Sequence, residues 1–499
     1  MSNVKAFGAV GDGKIDDTLA VQHAVSNADG QLEFPRGNYL INTTIEIKLD
    51  EVGRIAITGN DGTATIIMAG EGPAFRIIGS HQGTGDPLSV EPKVWERQRM
   101  PTIRNIEITG NHPSADGVEL IGTMQAILEG VLIRQVRHGV RLHRRNRNVV
   151  ISDSHIYHNT GVGIYLDDVN LHQINICGNH VSYNRLGGIR IERSEVRNLQ
   201  ITGNDIEYNN HKQFKTEPEL TAEIYIDTTG EKASVNEVTI SSNTIQATPS
   251  PGGANIRIYE KRGQDRPPGL WSISGNVIGS QENNVHLTGC HGVTLSGNCI
   301  YSCERRNVLL ENCSQINLTG NNFRRHTPRA NVGVRMVDSE NCILSGCIIQ
   351  DESEEGQGSG ASLLEISGCK RINVQGVQLL DGAPWGLDAV NSSEINITGS
   401  TLAGDLVGQR GRGAIRFRGQ GKKNHISACR IKGKIELETI GDLEGLEWLN
   451  LWGTQVTDSG LMKLKDLSKL RKIYLWQSQV TKKGAAALKK ELPDLEVIF

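Results

Sequence analysis

The chain has 499 residues, 57 of them glycine and only 7 phenylalanine, with aromatic residues at 4% and a formal net charge of −3. So balanced a charge gives no electrostatic reason to expect nucleic acid or an anionic membrane as partner, and no run approaches the roughly 20 apolar residues of a membrane span. So few large rings argue against a conventional globular core and for thin, repeated layers of Ile, Val and Leu.

Met1-Ser2-Asn3 runs directly into patterned sequence without a signal peptide. The expected location is therefore cytoplasmic if the chain is complete as given, and secreted or periplasmic if a leader was removed. Val4 to Ala9 reads as a strand and Gly11-Asp12-Gly13 as a turn. Asp16-Asp17-Thr18 reads as a helix start, with acids at the positive end of the dipole. The helix is expected to run to about Ser26, with Leu19, Val21, Ala24 and Val25 mostly on one side, before Phe34 to Ile41 enters the first coil. The run FGAVGDGKIDDT from Phe7 to Thr18, followed by that helix and by FPRGNY from Phe34 to Tyr39, resembles the N-terminal signature of the pectate-lyase-like superfamily. That superfamily includes polysaccharide lyases, polygalacturonase-type hydrolases, glucanases, epimerases and phage tailspikes. The resemblance implies a right-handed parallel β-helix with an N-terminal cap, and singles out no reaction. Asp12, Asp16 and Asp17 are expected to serve the turn and the cap rather than chemistry.

From about residue 103 to 435 one unit recurs: a Gly-φ-x-φ strand, a few polar residues, a φ-x-φ-Ser/Thr-Gly-Asn strand and a short turn. Units starting at Gly117, Gly139, Gly163 and Gly188 are 22, 24 and 25 residues apart. Strands this short cannot form hairpins at this spacing, but they can stack turn upon turn, each pairing in parallel roughly 4.8 Å from the next. Asn179, Asn204, Asn243, Asn276, Asn298 and Asn321 fit an inward amide ladder that satisfies turn backbone groups. Among the nine cysteines, Cys299 and Cys347 are expected at one repeat position and Cys290 and Cys313 at another, as small buried hydrophobes. A reduced set leans towards the cytoplasm. The expected fold is an all-β solenoid: a right-handed parallel β-helix of about 12–14 coils, with an N-terminal helix cap and a small α/β leucine-rich-repeat-like C-terminal cap. Its parts are 1–50 (cap and first coil), 51–436 (β-helix) and 437–499 (C-terminal cap).

In Gly-φ-x-φ-y the two φ positions point inward, so x and y face outward. The x column reads Glu119, Arg141, Tyr165, Arg190, Tyr225, Arg257, His286, Leu309, and the y column Ile121, His143, Asp167, Glu192, Asp227, Tyr259, Thr288, Glu311. The middle coils are dense in Arg, Tyr, His and carboxylate, whereas later ones turn ordinary (Val337, Ser367, Val390). Insertions at 209–221, 228–236 and 260–270 flank the same stretch, as the walls of a cleft would.

Asp167, Glu192 and Asp227 are the candidate catalytic residues. Neighbouring rungs place carboxyls about 5 Å apart and alternate rungs near 10 Å, against about 5–5.5 Å for retaining and about 6.5–9.5 Å for inverting glycoside hydrolysis. Crowding is expected to raise one of their pKa values into the general-acid range. Arg141, His143, Tyr165, Arg190, Tyr225, Arg257 and Tyr259 are the candidate substrate-binding residues, and three arginines favour an acidic glycan. The competing arrangement is a charged ladder in which Arg141, Arg190 and Arg257 simply pair with the acids. Asp167-Asp168 and Asp116-Gly117 resemble elements of polygalacturonase-type hydrolases, but that family's Gly-His-Gly and Arg-x-Lys elements are absent, and Arg137-His138-Gly139 is only an echo.

Three functions remain open. The first is a hydrolase of an acidic poly- or oligosaccharide using the carboxylates. The second is a lyase or epimerase on uronate polymers, with Arg190 or Arg257 neutralising and His143 or Tyr225 as base. The third is a non-catalytic glycan- or protein-binding scaffold. No cofactor or metal is expected for a hydrolase; in a lyase calcium could bind Asp167, Glu192 and Asp227. No nucleic acid or membrane partner is expected.

At the end of the chain Leu446, Leu451, Val456 and Gly460 recur 24 residues on as Leu470, Leu475, Val480 and Gly484. This resembles two leucine-rich repeats, with strands Trp448 to Leu451 and Lys472 to Leu475 and helices near Ser459 to Asp466 and Lys483 to Lys490. Two repeats are too few to stand alone, so a cap on the stack is expected, or a protein-binding patch using Trp448, Trp452 and Trp476.

Overall fold

The computed structural model describes residues 2–27, 29–83, 85–209, 222–261, 269–326, 330–351, 361–403, 413–432, 434–437, 448–452 and 456–499. It divides into two units, residues 1–261 with 268–272, and residues 262–267 with 273–499.

The N-terminus departs from expectation. Val4–Phe7 is a short 3-10 helix rather than a strand: Asn3 accepts from the Lys5 amide, and Gly8 closes the turn at φ 100°. Asp12–Asp16, expected to begin as a turn, is a strand paired with Gly37–Ile41. The helix Thr18–Asn27 forms as expected on Val21, Ala24 and Val25, but Leu19 is 84% exposed. The acids do cap and turn work. Asp17 accepts from the Val10 and Gly11 amides, Asp16 from the Thr18 amide, and Asp12 from the Lys14 and Ile15 amides. Phe34 and Tyr39 are fully buried and meet edge to face at 5.1 Å, and Phe34 meets Phe75 at 6.1 Å. The aromatic content of this region is concentrated here, where the first coil needs a plug.

The coils then stack as a parallel, right-handed solenoid of about 17 turns. This exceeds the expected 12–14 coils. In the first unit the sheet that carries the x and y residues runs through Ile45–Lys48, Gly72–Ile78, Ala115–Met124, Val140–Ser152, Ile164–Cys177, Ile189–Glu192, Ala222–Asp227 and Ala254–Tyr259. Its inward residues, among them Leu142, Leu166, Ile191, Ile226 and Ile258, are completely buried. The period-two pattern thus fixes the register.

Buried asparagines hold the turns. Asn179 Nδ2 donates to Asn204 Oδ1 and Asn204 Nδ2 to Asn243 Oδ1, both at 3.0 Å, and each also bonds a backbone carbonyl. In the second unit Asn276, Asn298 and Asn321 continue in the same manner at 3.0 and 2.9 Å. A second ladder, Asn159–Asn184–Asn209, runs along another corner and ends on the buried Glu223.

All nine cysteines are free and seven are buried. The expected equivalence of Cys299 and Cys347 is wrong by one position. Cys347 takes the ladder place below Asn321, whereas Cys299 stacks on Asn322 and then Ile348. Gly-Asn-Cys puts the ladder residue before the cysteine; Ser-Gly-Cys makes the cysteine the ladder residue.

At the C-terminus, Trp448–Asn450, Lys472–Tyr474 and Glu496–Ile498 form a parallel three-stranded sheet at 24-residue spacing, with helices Asp458–Leu461 and Lys482–Glu491 between them. The third strand was not foreseen. Thr457 and Thr481 cap the two helices, and Asp458 accepts from the Thr481 amide and hydroxyl, both at 2.7 Å. Among the described residues these strands pair with none of the solenoid strands. Trp452 and Trp476 are 48% and 63% exposed; the Trp448 side chain lies outside the described structure.

Candidate active site on the polar sheet face

The outward residues stack one per rung. Glu119, Arg141, Tyr165, Arg190, Tyr225 and Arg257 form one column, and Ile121, His143, Asp167, Glu192, Asp227 and Tyr259 the other. Of the flanking insertions, 210–221 and 262–268 lie outside the described residues. Residues 228–236 are described: Thr228 is buried, and the Ala233 amide closes a turn on the Gly230 carbonyl.

Long side chains fold along the sheet and tie the rungs together. Arg141 donates through Nε and Nη2 to Asp167 Oδ2 at 3.1 and 2.7 Å, and through Nη1 to Glu119 at 3.1 Å. Arg193 reaches back to the other Asp167 oxygen and to the Tyr165 hydroxyl. Tyr165 donates to Glu192 Oε2 at 2.8 Å, and Arg190 to Glu192 Oε1 at 2.7 Å. Arg190 also lies 4.5 Å over the Tyr225 ring. Arg257 is buried; its Nη1 bonds the Tyr259 hydroxyl at 3.0 Å and its Nη2 the Gly252 carbonyl. Asp227 stands apart: its Oδ1 accepts from the Thr229 amide and hydroxyl, and it forms no ion pair among the described residues.

The expected rise of one carboxylate pKa does not occur at Asp167 or Glu192. Burial pushes Asp167 up, but hydrogen bonds from Arg141 and Arg193 outweigh it and hold the group below the ordinary range. Burial likewise pushes Glu192 up, but Arg190 and Tyr165 outweigh it and hold the group below the ordinary range. Guanidinium compensation wins over carboxylate crowding. Burial and then the neighbouring acids push the Tyr165 phenol up to about 12, and burial followed by Asp227 does the same at Tyr225. Both therefore remain protonated donors at neutral pH. The pairing of Arg141 with Asp167 and of Arg190 with Glu192 is the ladder arrangement, and it excludes the same oxygens from calcium. Those carboxylates do not fit the metal set, and among the described residues no group of three His, Cys, Asp or Glu could hold a metal ion.

Two histidines have tautomers fixed by the backbone. His143 Nδ1 faces the Asp167 carbonyl oxygen at 2.8 Å, so that nitrogen carries the proton and Nε2 is a lone-pair acceptor. His138 Nδ1 accepts from the Val162 amide at 3.1 Å, so its Nε2 is the donor. Burial drives His138 down to about 4, and its ring lies 5.2 Å from that of Tyr165.

Sequence reasoning missed Arg193 and His138. Arg193, like Arg144 and Asp168, has positive φ at the corner directly after the y position, where strict alternation stops. Asp168 is exposed there, at the register shift between the coils, so the Asp167-Asp168 pair does not act as one. Asp116 is held by Arg137 at 2.9 and 2.7 Å. In the second unit the face is not ordinary: Arg306 pairs with Glu365 and Arg416 with Asp388, both at 2.6 Å.

The model of the right-handed β-helix region matches residues 93–217 and 222–402, and that of the pectate-lyase-like rhamnogalacturonase A/epimerase family matches residues 1–80. The chain belongs to the right-handed parallel β-helix proteins of the pectate-lyase-like superfamily. Similar solved structures include the A-module of mannuronan C-5 epimerase AlgE6 from Azotobacter vinelandii, at 15% identity, 88% of this chain, 97% of that one and TM-score 0.36. PfbA, a surface adhesin of Streptococcus pneumoniae, is similar at 14% identity, 79% and 92% coverage and TM-score 0.45. The catalytic unit of a GH87 α-1,3-glucanase from Streptomyces thermodiastaticus is similar at 12% identity, 87% and 67% coverage and TM-score 0.39. These likenesses assign no reaction to this chain. No curated protein matches it.

Proposed function

We propose that the chain is a carbohydrate-active enzyme that binds an acidic polysaccharide across the rungs from Arg141 to Tyr259 and removes the proton beside a uronate carboxylate, as a lyase or epimerase does. The observation that carries this reading is the His143 ring. Its proton is committed to the Asp167 carbonyl, so its Nε2 lone pair is directed away from that bond and can act as a base. Arg141, Arg190 and Arg193 supply positive charge for the developing enolate, and Tyr165 and Tyr225, held protonated, supply an acid for the departing oxygen or for the opposite face of the ring. Asp167 and Glu192 then act as ionised residues that orient the arginines and Tyr165. Return of a proton to C5 from the opposite face inverts the centre; loss of the 4-linked oxygen gives an unsaturated uronide.

One observation favours hydrolysis as the second reading: among the described residues Asp227 pairs with no guanidinium. Digests of polyuronates separate the two. Ultraviolet absorbance from an unsaturated end, or a changed epimer ratio by NMR, supports proton abstraction; new reducing ends without either support hydrolysis. His143→Ala is expected to lower turnover by about 10²–10⁴ while Asp227→Asn keeps it, and the reverse pattern overturns the proposal. No turnover on any acidic glycan would leave only a binding scaffold.

A further inference from the structure

The corner that follows the sheet strand carries a second polar cluster which the face itself does not use. Arg145 and Arg147 stack on Asn170 and His172, which stack in turn on Glu195 and Arg197. His81 and Gly85 lie against this corner. Arg147 Nη1 donates to the Gly85 carbonyl at 2.7 Å, and a Cβ on Gly85 would stand 3.2 Å from the His172 ring. His81 is only 1% exposed.

The hydrogen positions follow from the partners. Arg145 Nε lies 3.3 Å from His81 Nε2, and a guanidinium only donates, so the imidazole proton sits on Nδ1. That Nδ1 is buried and has no acceptor among the described residues. At His172 the Asn198 amide nitrogen lies 3.4 Å from Nε2, which again puts the proton on a buried Nδ1 without an acceptor among the described residues. Arg145 Nη2 is the third such donor. Native proteins rarely leave buried donors unmatched, since each costs about 1–3 kcal/mol. Glu195 faces Arg145 but is engaged by Asn170 at 2.7 Å and Arg197 at 3.4 Å, and Glu237, which faces His172, is exposed. Burial, then Arg145 and Arg147, drives His81 down to about 4, so the imidazoles are neutral donors amid three guanidiniums.

We propose that this corner is an oxyanion-binding site. Arg145 Nη2 and the Nδ1 atoms of His81 and His172 donate to a carboxylate or sulfate group, and Arg147 and Arg197 supply charge. Attributing that group to an acidic glycan rests on the function proposed above; the site itself does not.

The test uses the full chain with labelled histidines, titrated with sodium sulfate, with glucuronate and with glucose at constant ionic strength and neutral pH. Saturable shifts of the His81 and His172 imidazole signals with either anion, and none with glucose, are expected. The more strongly bound anion identifies the source as sulfate or uronate. Arg145→Gln should weaken binding about 10-fold or more, from the loss of a charged hydrogen bond, and Arg145→Lys should retain most of it. Absence of saturable shifts with both anions, or equal affinity in Arg145→Gln, overturns the site. If Arg145→Gln does not fold, His172→Phe read at His81 decides in the same way. Because turnover is not measured, a chain that binds the anions but processes no glycan would refute the proposed reaction and leave this site standing.

Discussion

Arg141 holds Asp167 across one rung of the sheet through two nitrogens, at 3.1 and 2.7 Å. The contact turns what alternation presents as a row of outward side chains into a cross-braced layer lying flat on the strands. Arg193 closes Asp167 from the other side, so its carboxylate is matched by two cations.

Asp167→Asn removes the negative charge and one of the two acceptor oxygens that Arg141 and Arg193 share, leaving Arg141 its bond to Glu119 and Arg193 its bond to Tyr165. Breaking a buried pair costs about 3–5 kcal/mol, and the 57% exposure of the Arg193 side chain screens part of this. A loss of ~1–3 kcal/mol is expected, read from the urea midpoint. Because the folded-state pKa values of Asp167 and Glu192 are lowered, the unfolded chain takes up protons first as pH falls. Their contribution is therefore complete above the unfolded values near about 4 and is lost on acidification through the folded ones. Asp167→Asn should flatten the acid limb of the stability profile, and an unchanged limb would show that the pairing does not matter to folding.

Glu223 behaves in the opposite sense. It is fully buried at the end of the second asparagine ladder, and burial raises its pKa well above the ordinary value. Here the folded state keeps its proton while the unfolded state loses it above about 4.3, so folding is progressively disfavoured as pH rises towards the folded pKa, by about 1.4 kcal/mol per unit. Glu223→Gln keeps an acceptor for Asn209 and removes the linkage. The variant should gain on the wild type steadily between pH about 5 and the folded pKa, measured by denaturant unfolding; a constant difference would exclude a protonated Glu223.

Cys347 offers a stabilising change. It occupies an amide rung, and Asn321 donates to its sulfur from N at 3.4 Å and from Nδ2 at 3.8 Å. Cys347→Asn replaces a weak acceptor by an amide oxygen and should stabilise by about 0.5–1.5 kcal/mol. The equivalent change at Cys299, which stacks outside the ladder, should do nothing.

These cases show where the sequence was legible. Period-two alternation marks which residues face inward, and because a solenoid repeats its register, the x and y columns could be aligned before any coordinates. Alternation carries no information about how a long side chain bends after leaving the strand, so the expected free carboxylate crowd became an ion-paired layer. It also ends at the corner, where Arg193 adopts positive φ, and so Arg193 was missed. The Cys299 error has the same origin as the missed Asn159–Asn184–Asn209 ladder: corners are set by which residue can accept from the turn amides, and a motif matched by letters alone can slip by one.

The asparagine ladder has a consequence for how such a chain lengthens. Each asparagine rung presents an amide oxygen to the coil before it and an amide hydrogen to the coil after it, so the Asn–Asn joints are chemically alike. Excising or duplicating one full turn rejoins like with like, whereas a cut of half a turn strands a donor in the dry interior. Growth and shrinkage of this protein over evolution are thereby quantised in whole coils.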